Sequence, residues 1–264
     1  MAEIEQDNST VLVSNDDWGR TITLNRPARR NAMTPAMQIE LIAAMEDAGA
    51  SECRVVVLTG AGDAFCSGLD LSALQSMQNK TAVEHKEDAE RIGKLFRTLY
   101  ELPKPTIAAV HGAAIAGGTG LATICDFTLA TPEAKFGYTE VRIGFVPALV
   151  SAFLALQIGD KRSRDLLMTG RVVDAQEAYR LGLVNEVVPR DVLKERVETL
   201  AKLLASNSPQ SLRATKLLLT AQNKAWLDIA IDEAMETNAQ AREAADFSEG
   251  IAAFLEKRKP RWTQ

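Results

Sequence analysis

The chain has 264 residues, 46% hydrophobic and 25% charged, with 16 glycines and 9 prolines, an ordinary globular balance that excludes a disordered tail, a collagen-like repeat and low complexity. A net charge of −5 argues against nucleic acid as a partner, because phosphate neutralisation dominates that affinity. Three cysteines (Cys53, Cys66, Cys125) and two histidines (His85, His111) give neither a disulfide framework nor a zinc or His-rich centre, so no metal is expected.

The first ten residues, MAEIEQDNST, are polar and acidic and lack the basic and apolar regions of a targeting peptide, so a cytoplasmic location is expected. Residues 11–13 and 21–24 read as short strands, with Asp16, Asp17 and Gly19 in the turn between them. Arg26-Pro27 ends the second. Thr34 is placed to cap a helix with Pro35 in its first turn; Met37, Leu41, Ile42 and Met45 then form an apolar stripe at helical spacing. Residues 54–59 (RVVVLT) are a β-branched run, as expected of a strand covered on both faces. Residues 73–86 are polar and weakly patterned and read as a mobile or irregular stretch, with His85 in a solvated charged run. Ile92, Leu95, Leu99 and Leu102 mark a helix ended by Pro103 and Pro105. Residues 106–110 and 126–130 read as two further strands.

Residues 107–125 carry no charge, about the length of a membrane span. Gly112, Gly117, Gly118 and Gly120 would weaken a lone helix there. A buried strand, a glycine turn and a buried helix are expected instead, and no membrane span. Beyond Pro147 the strand signal fades: residues 148–156, 162–167, 175–180, 192–204, 209–224, 225–242 and 247–257 read as helical. The fold class is therefore α/β with a mostly parallel sheet and an all-helical C-terminal third.

Three segments can carry chemistry. In LTGAGDAFCSGLDL (58–71) a strand runs into a glycine loop and a helix near Leu69. Phe65 stands where a dinucleotide motif needs its third glycine, and where a nucleophile elbow needs its first. What remains is a loop with outward backbone amides, suited to an oxyanion, or a plain tight turn. AGGTGL (116–121) repeats that logic, with close helix–strand packing as the alternative reason for its glycines. Glu140, just ahead of an apolar run, is a carboxylate that burial would turn into a proton shuttle, or else a surface partner of Arg142. Neither histidine accompanies a serine motif, so a Ser-His-Asp triad is not expected.

In order and spacing these segments resemble the enoyl-CoA hydratase/isomerase (crotonase) superfamily. The resemblance rests on LNRPARRNAM (24–33), VVLTGAGDAFCSGLDL (56–71), VHGAAIAGGTGLATICDFTLAT (110–131), AKFGYTEVRIGFVP (134–147) and EGIAAFLEKRKP (249–260), and so covers nearly the whole chain. It implies a stacked ββα spiral over residues 1–200, with a helical C-terminal trimerisation region over 201–264. It also implies assembly as a homotrimer or a hexamer of two trimers, and an acyl-CoA substrate. By family pattern the thioester oxygen is held by the amides of Leu69 and Gly117, with Glu140 as general acid and base. Binding of coenzyme A is implied for Arg29, Arg30, Cys66, Ser67, Gly68 and Asp70, and for Phe254 and Lys257, which in the family can reach the coenzyme A of a neighbouring subunit. No cofactor is implied beyond the coenzyme A of the substrate, because the oxyanion hole supplies the electrophile.

One departure bears on the reaction. The best-known hydratases carry a second glutamate, and its position falls on Gly120. Two carboxylates orient a water and deliver a proton to C2, whereas one suffices to move a proton from C2 to C4. Hydration of a 2-enoyl-CoA is the expected activity, with isomerisation of a β,γ- to an α,β-enoyl-CoA as its alternative. Thioester hydrolysis or decarboxylation on the same scaffold comes next. A catalytically silent CoA- or RNA-binding protein is the alternative of another class; Glu140 and the acidic pI weigh against it.

Overall fold

The computed structural model describes residues 9–77 and 80–263. The chain opens with a hairpin, β1 (Val11–Asp16) and β2 (Gly19–Leu24), then a 3-10 turn over Pro27–Arg29 and α1 (Pro35–Ala50). Thr34 caps α1 as expected, its hydroxyl accepting from the Met37 amide, with Pro35 in the first turn. There follow β3 (Val56–Gly60), β4 (Ala64–Cys66), α2 (Leu71–Met77), α3 (Ala82–Glu101), β5 (Thr106–Val110), β6 (Ala113–Ile115), α4 (Gly117–Ile124), β7 (Phe127–Ala130) and β8 (Lys135–Gly137). A 3-10 turn over Glu140–Ile143 leads into α5 (Ala148–Thr169), β9 (Val172–Asp174), α6 (Ala175–Leu181), β10 (Glu186–Val187), α7 (Leu193–Ser206), α8 (Pro209–Ala241) and α9 (Ala245–Leu255).

Two sheets result. A six-stranded sheet has the order β1-β2-β3-β5-β7-β10 and a four-stranded sheet the order β4-β6-β8-β9. The pairs β3/β4, β5/β6 and β7/β8 each place their first strand in the large sheet and their second in the small one. Within each sheet these strands lie parallel and adjacent. Each pair is followed by helix, so the architecture is a stack of ββα turns. The run 107–125 is divided among β5, β6 and α4, and no helix among the described residues is long and apolar enough to cross a membrane.

Alternation along the strands explains why the central ones are apolar throughout. Val56, Leu58, Ala108 and Val110 face the main core, packed against α1, α3 and α4, while Val55, Val57, Ile107 and Ala109 face a second core with Val197, Ala201 and Leu204 of α7. Strands buried on both faces read as continuous apolar runs.

Four expectations are corrected. Residues 73–86 are mostly helical, the end of α2 and the start of α3; residues 78 and 79 lie outside the described residues. The signal there is a cap, not a stripe: Thr81 and Glu84 form a reciprocal capping box, which fixes a helix start whatever the polarity of its first turn. His85 is buried, not solvated, because it begins the inward stripe of α3 that continues through Asp88, Ala89, Ile92, Leu95, Phe96 and Leu99. The segments 209–224 and 225–242 form one helix, α8, and 148–156 with 162–167 form α5, interrupted where Gly159 adopts a φ of 76°. The region read as all-helical also holds β9 and β10, whose three and two residues are too short to show a period.

Candidate active site

The local order of the loops comes from a buried hub. Arg30 and Asn31 both take the left-handed conformation, with φ of 50° and 55°, a region asparagine tolerates better than most residues. The fully buried Asn31 accepts from the Arg26 amide at 2.8 Å and donates to the carbonyls of Ala61, Ala64 and Phe65. This ties the segment after β2 to the loop around β4. A parallel bridge then forms between Met33 and Leu69: the Met33 amide donates to Gly68 O at 2.7 Å and the Asp70 amide to Met33 O at 2.9 Å. Amides alternate in direction along a strand, so the Leu69 N–H faces away from Met33.

The second loop is set by strain and by a threonine. Ala116 has φ 53° and ψ −126°, a conformation costing a non-glycine residue about 1–3 kcal/mol. Its amide is pinned to Gly137 O at 2.7 Å. The turn leaves Gly117 as the first residue of α4, where the N–H has no intrahelical acceptor. Gly118 must be glycine for packing: a Cβ there would lie 2.2 Å from Cys66 O. The buried Thr119 donates to Ala114 O and accepts from the Gly137 amide, joining α4 to β6 and β8 just before Glu140.

These parts line one cavity of about 680 Å³, which Leu69, Ala116, Gly117 and Glu140 share, within the roughly 300–1,000 Å³ of small-molecule sites. Glu140 forms no ion pair with Arg142 among the described residues. Its Oε2 is buried without a hydrogen-bond partner. Burial pushes its carboxyl up to about 7, against a smaller downward pull from its own backbone amide. A carboxyl near neutrality both takes and gives protons at physiological pH. The turn that carries it is braced by α9, where the Phe145 and Phe247 rings stand 4.8 Å apart.

Arg29, Arg30, Ser67, Asp70 and Phe254 also line this cavity. Arg29 and Arg30 are exposed, and Phe254 stands 59% exposed on α9 of the same chain. Asp70 is buried under a 2.8 Å ion pair with Arg26; burial raises its carboxyl, but hydrogen bonds from Ser72 and Arg26 outweigh this and hold it below the usual range. Three residues stand apart from the cavity lining. Cys66 is fully buried, its thiol pushed up to about 12 by burial and donating to Asn31 O. Gly68, with φ 89°, shapes the loop. Lys257 is exposed beyond the end of α9. Among the described residues no group of three or more His, Cys, Asp or Glu side chains is placed to hold a metal ion.

Sequence reading missed Arg26, taken only as a strand end, and the part of the cavity wall that Val150 and Phe96 form. Gly120 lies behind that wall: a Cβ on it would stand 2.6 Å from Val150 Cγ1 and 3.2 Å from Phe96 Cζ. Val150 and Phe96, both cavity-lining, fill the space a second carboxylate would need. No spacing in the sequence shows that Val150 closes over Gly120. Gly120→Glu is therefore expected to lower stability by about 1–3 kcal/mol through overpacking, read as a fall in the urea midpoint. Adding Val150→Ala is expected to recover part of that loss; an unchanged midpoint in Gly120→Glu would show that the wall yields freely.

The family model described as enoyl-CoA hydratase/isomerase matches residues 20–264. A Thermus thermophilus protein described provisionally as an enoyl-CoA hydratase is 46% identical over 242 residues, covering 91% of this chain and 96% of that protein. A crotonyl-CoA hydratase of Syntrophomonas wolfei is 35% identical, covering 94% and 96%. The crystal structure of an enoyl-CoA hydratase/isomerase from Xanthobacter autotrophicus Py2 superposes with a TM-score of 0.88 at 30% identity, covering 97% of this chain and 99% of that one.

Proposed function

The chain belongs to the enoyl-CoA hydratase/isomerase family, and from that premise we propose that it hydrates a 2-enoyl-CoA thioester. The observation that carries this reading is the buried Glu140 carboxyl, unpartnered at Oε2 and held near neutrality, on the wall of a cavity that Leu69 and Gly117 also line; the N–H groups of those two are the oxyanion donors of this reading. Water adds through its oxygen to C3. The C2–C3 π electrons shift to form an enolate whose negative oxygen lies between the two amides, and Glu140 delivers a proton to C2 as the carbonyl re-forms; the proton that the water sheds as its O–H bond breaks passes to the Glu140 carboxylate so formed, which restores the acid. Oriented amides stabilise such an oxyanion without reorganising. The crotonyl-CoA hydratase activity named for the Syntrophomonas wolfei relative supports this direction.

Arg29, Arg30 and Ser67 of the cavity lining, with Phe254 of α9 and Lys257 beyond its end, would receive the nucleotide part. Assembly into homotrimers or hexamers belongs to the same reading. Leu218, Trp226 and Ile229, exposed on α8 at 62%, 49% and 62%, favour it.

A second reading is isomerisation of a β,γ- to an α,β-enoyl-CoA, favoured by the replacement of a second carboxylate with Gly120 under Val150 and Phe96. The protonation state of Glu140 separates the two. As the acid that protonates C2, it must hold its proton, so kcat/KM for hydration falls as pH rises through about 7. As the base that removes a C2 proton, it must be ionised, so isomerisation rises through the same range. Crotonyl-CoA and 3-butenoyl-CoA, followed by mass from about pH 5 to about pH 9, test this. Gain of one water on crotonyl-CoA with an acid-side optimum supports hydration; isomerisation of 3-butenoyl-CoA with an alkaline limb and no hydration overturns it in favour of the second reading.

A further inference from the structure

The cavity wall formed by Leu74, Phe145 and Ile251 is apolar apart from one buried amide that the reaction at Glu140 leaves unused. Asn238 of α8 lines this wall and is 4% exposed. Its Oδ1 accepts from Arg242 Nη2 at 2.9 Å, one helical turn on. A guanidinium only donates, so this bond fixes which end of the amide is oxygen. The Nδ2 hydrogens have no acceptor among the described residues, and Nδ2 is not sealed from the cavity.

Arg242 behind it is a buried cation, 3% exposed, with its guanidinium carbon 5.9 Å from the centroid of the Phe145 ring. Its Nη1 lies 3.2 Å from Asp88, and its Nε is buried without a partner. Asp88 is shared, since it also pairs with Lys80 and Arg91. Glu84 and Glu243 are further acids whose fields reach this cluster. Three cations thus face three carboxylates, and what the cluster presents at the cavity is a donor without a protein partner among the described residues, backed by a guanidinium whose Nε is unpaired. Buried charge and buried donors are costly unless a partner satisfies them.

We propose that Asn238, held by Arg242, receives the far end of the acyl group and selects a chain that ends in a carboxylate over one that ends in a methyl. This rests on the acyl-CoA reading above. Asn238 is the contact; Arg242 is a positioning residue that orients the amide.

The test is calorimetric titration of the full chain with unreactive thioesters paired by length: pentanoyl-CoA against glutaryl-CoA, and hexanoyl-CoA against adipoyl-CoA. The carboxylated member of the better-fitting pair is expected to bind at least about tenfold more tightly. Asn238→Leu is expected to bring the ratio near one. Asn238→Asp, which keeps a partner for Arg242 and therefore the fold, is expected to invert it. Equal binding of both members of each pair, or an Asn238→Asp ratio equal to wild type, overturns the inference and leaves the acyl-CoA reading standing. Binding of neither member overturns both.

Discussion

Glu140→Gln is expected to lower kcat by about 10²–10⁴-fold and to leave acyl-CoA binding intact. Glutamine keeps the shape and polarity of the side chain but has no proton to exchange at neutral pH. The substitution therefore removes the cavity-lining carboxyl that burial holds near neutrality, while Leu69, Gly117 and the rest of the cavity wall stay in place. The same change has a stability signature of known sign. In the folded chain burial holds Glu140 near 7, whereas in the unfolded chain it titrates near 4.3. Below the unfolded value both states are protonated and the group costs nothing. As pH rises toward about 7, the unfolded state releases its proton first and wild type loses stability; above that range the loss is complete and constant. The melting temperature of Glu140→Gln is thus expected to gain on wild type across this window and then to run parallel to it. A variant with wild-type kcat would remove Glu140 from the mechanism, and a flat melting difference would show that its carboxyl is not desolvated.

Gly117→Pro is expected to lower kcat by about 10²–10³-fold, the equivalent of about 2.7–4 kcal/mol for one lost oxyanion donor. Gly117 is the first residue of α4, the helical position at which proline is best tolerated, since the missing N–H serves no intrahelical bond. A side chain has room there: a Cβ would meet only the flexible end of Met33, 3.1 Å away, and then Phe96 at 3.8 Å. Gly117→Ala is the control, because it adds the Cβ and retains the N–H. The two variants should melt alike and differ in kcat. Equal activity in both would show that this amide does not serve the transition state.

How much of this was legible in the sequence depends on the range of each interaction. The β-branched run before Gly60 and the Thr34-Pro35 start of α1 are set by neighbours along the chain, and their residues announced them. Both glycine loops and Glu140 stood out as candidates for the same reason, since each follows a local strand-to-turn transition. What stayed hidden was decided across the fold. Val150 and Phe96 reach over Gly120 from α5 and α3, and no periodicity carries that meeting. His85 lay in a charged run, yet its place on the α3 stripe turns it inward, and the cap that fixes the stripe is formed by Thr81 and Glu84. Arg26 read as a strand end because its partner, Asp70, lies 44 residues further on. Asn238 and Arg242 share one helix turn, but only the fold brings that turn to the cavity wall.

The two proposed readings, hydration and isomerisation, share one step, a proton transfer at C2 through an oxyanion-stabilised enolate that both assign to Glu140. The direct measurement is deuterium incorporation from D₂O into the products of crotonyl-CoA and 3-butenoyl-CoA, located by NMR, for wild type and Glu140→Gln. Wild type is expected to place deuterium at C2 of the hydration product as fast as it turns over, or to carry substrate protium from C2 to C4 with partial exchange if it isomerises, and the variant to form neither product while still binding both thioesters. Deuterium incorporation by Glu140→Gln at the wild-type rate would contradict the account.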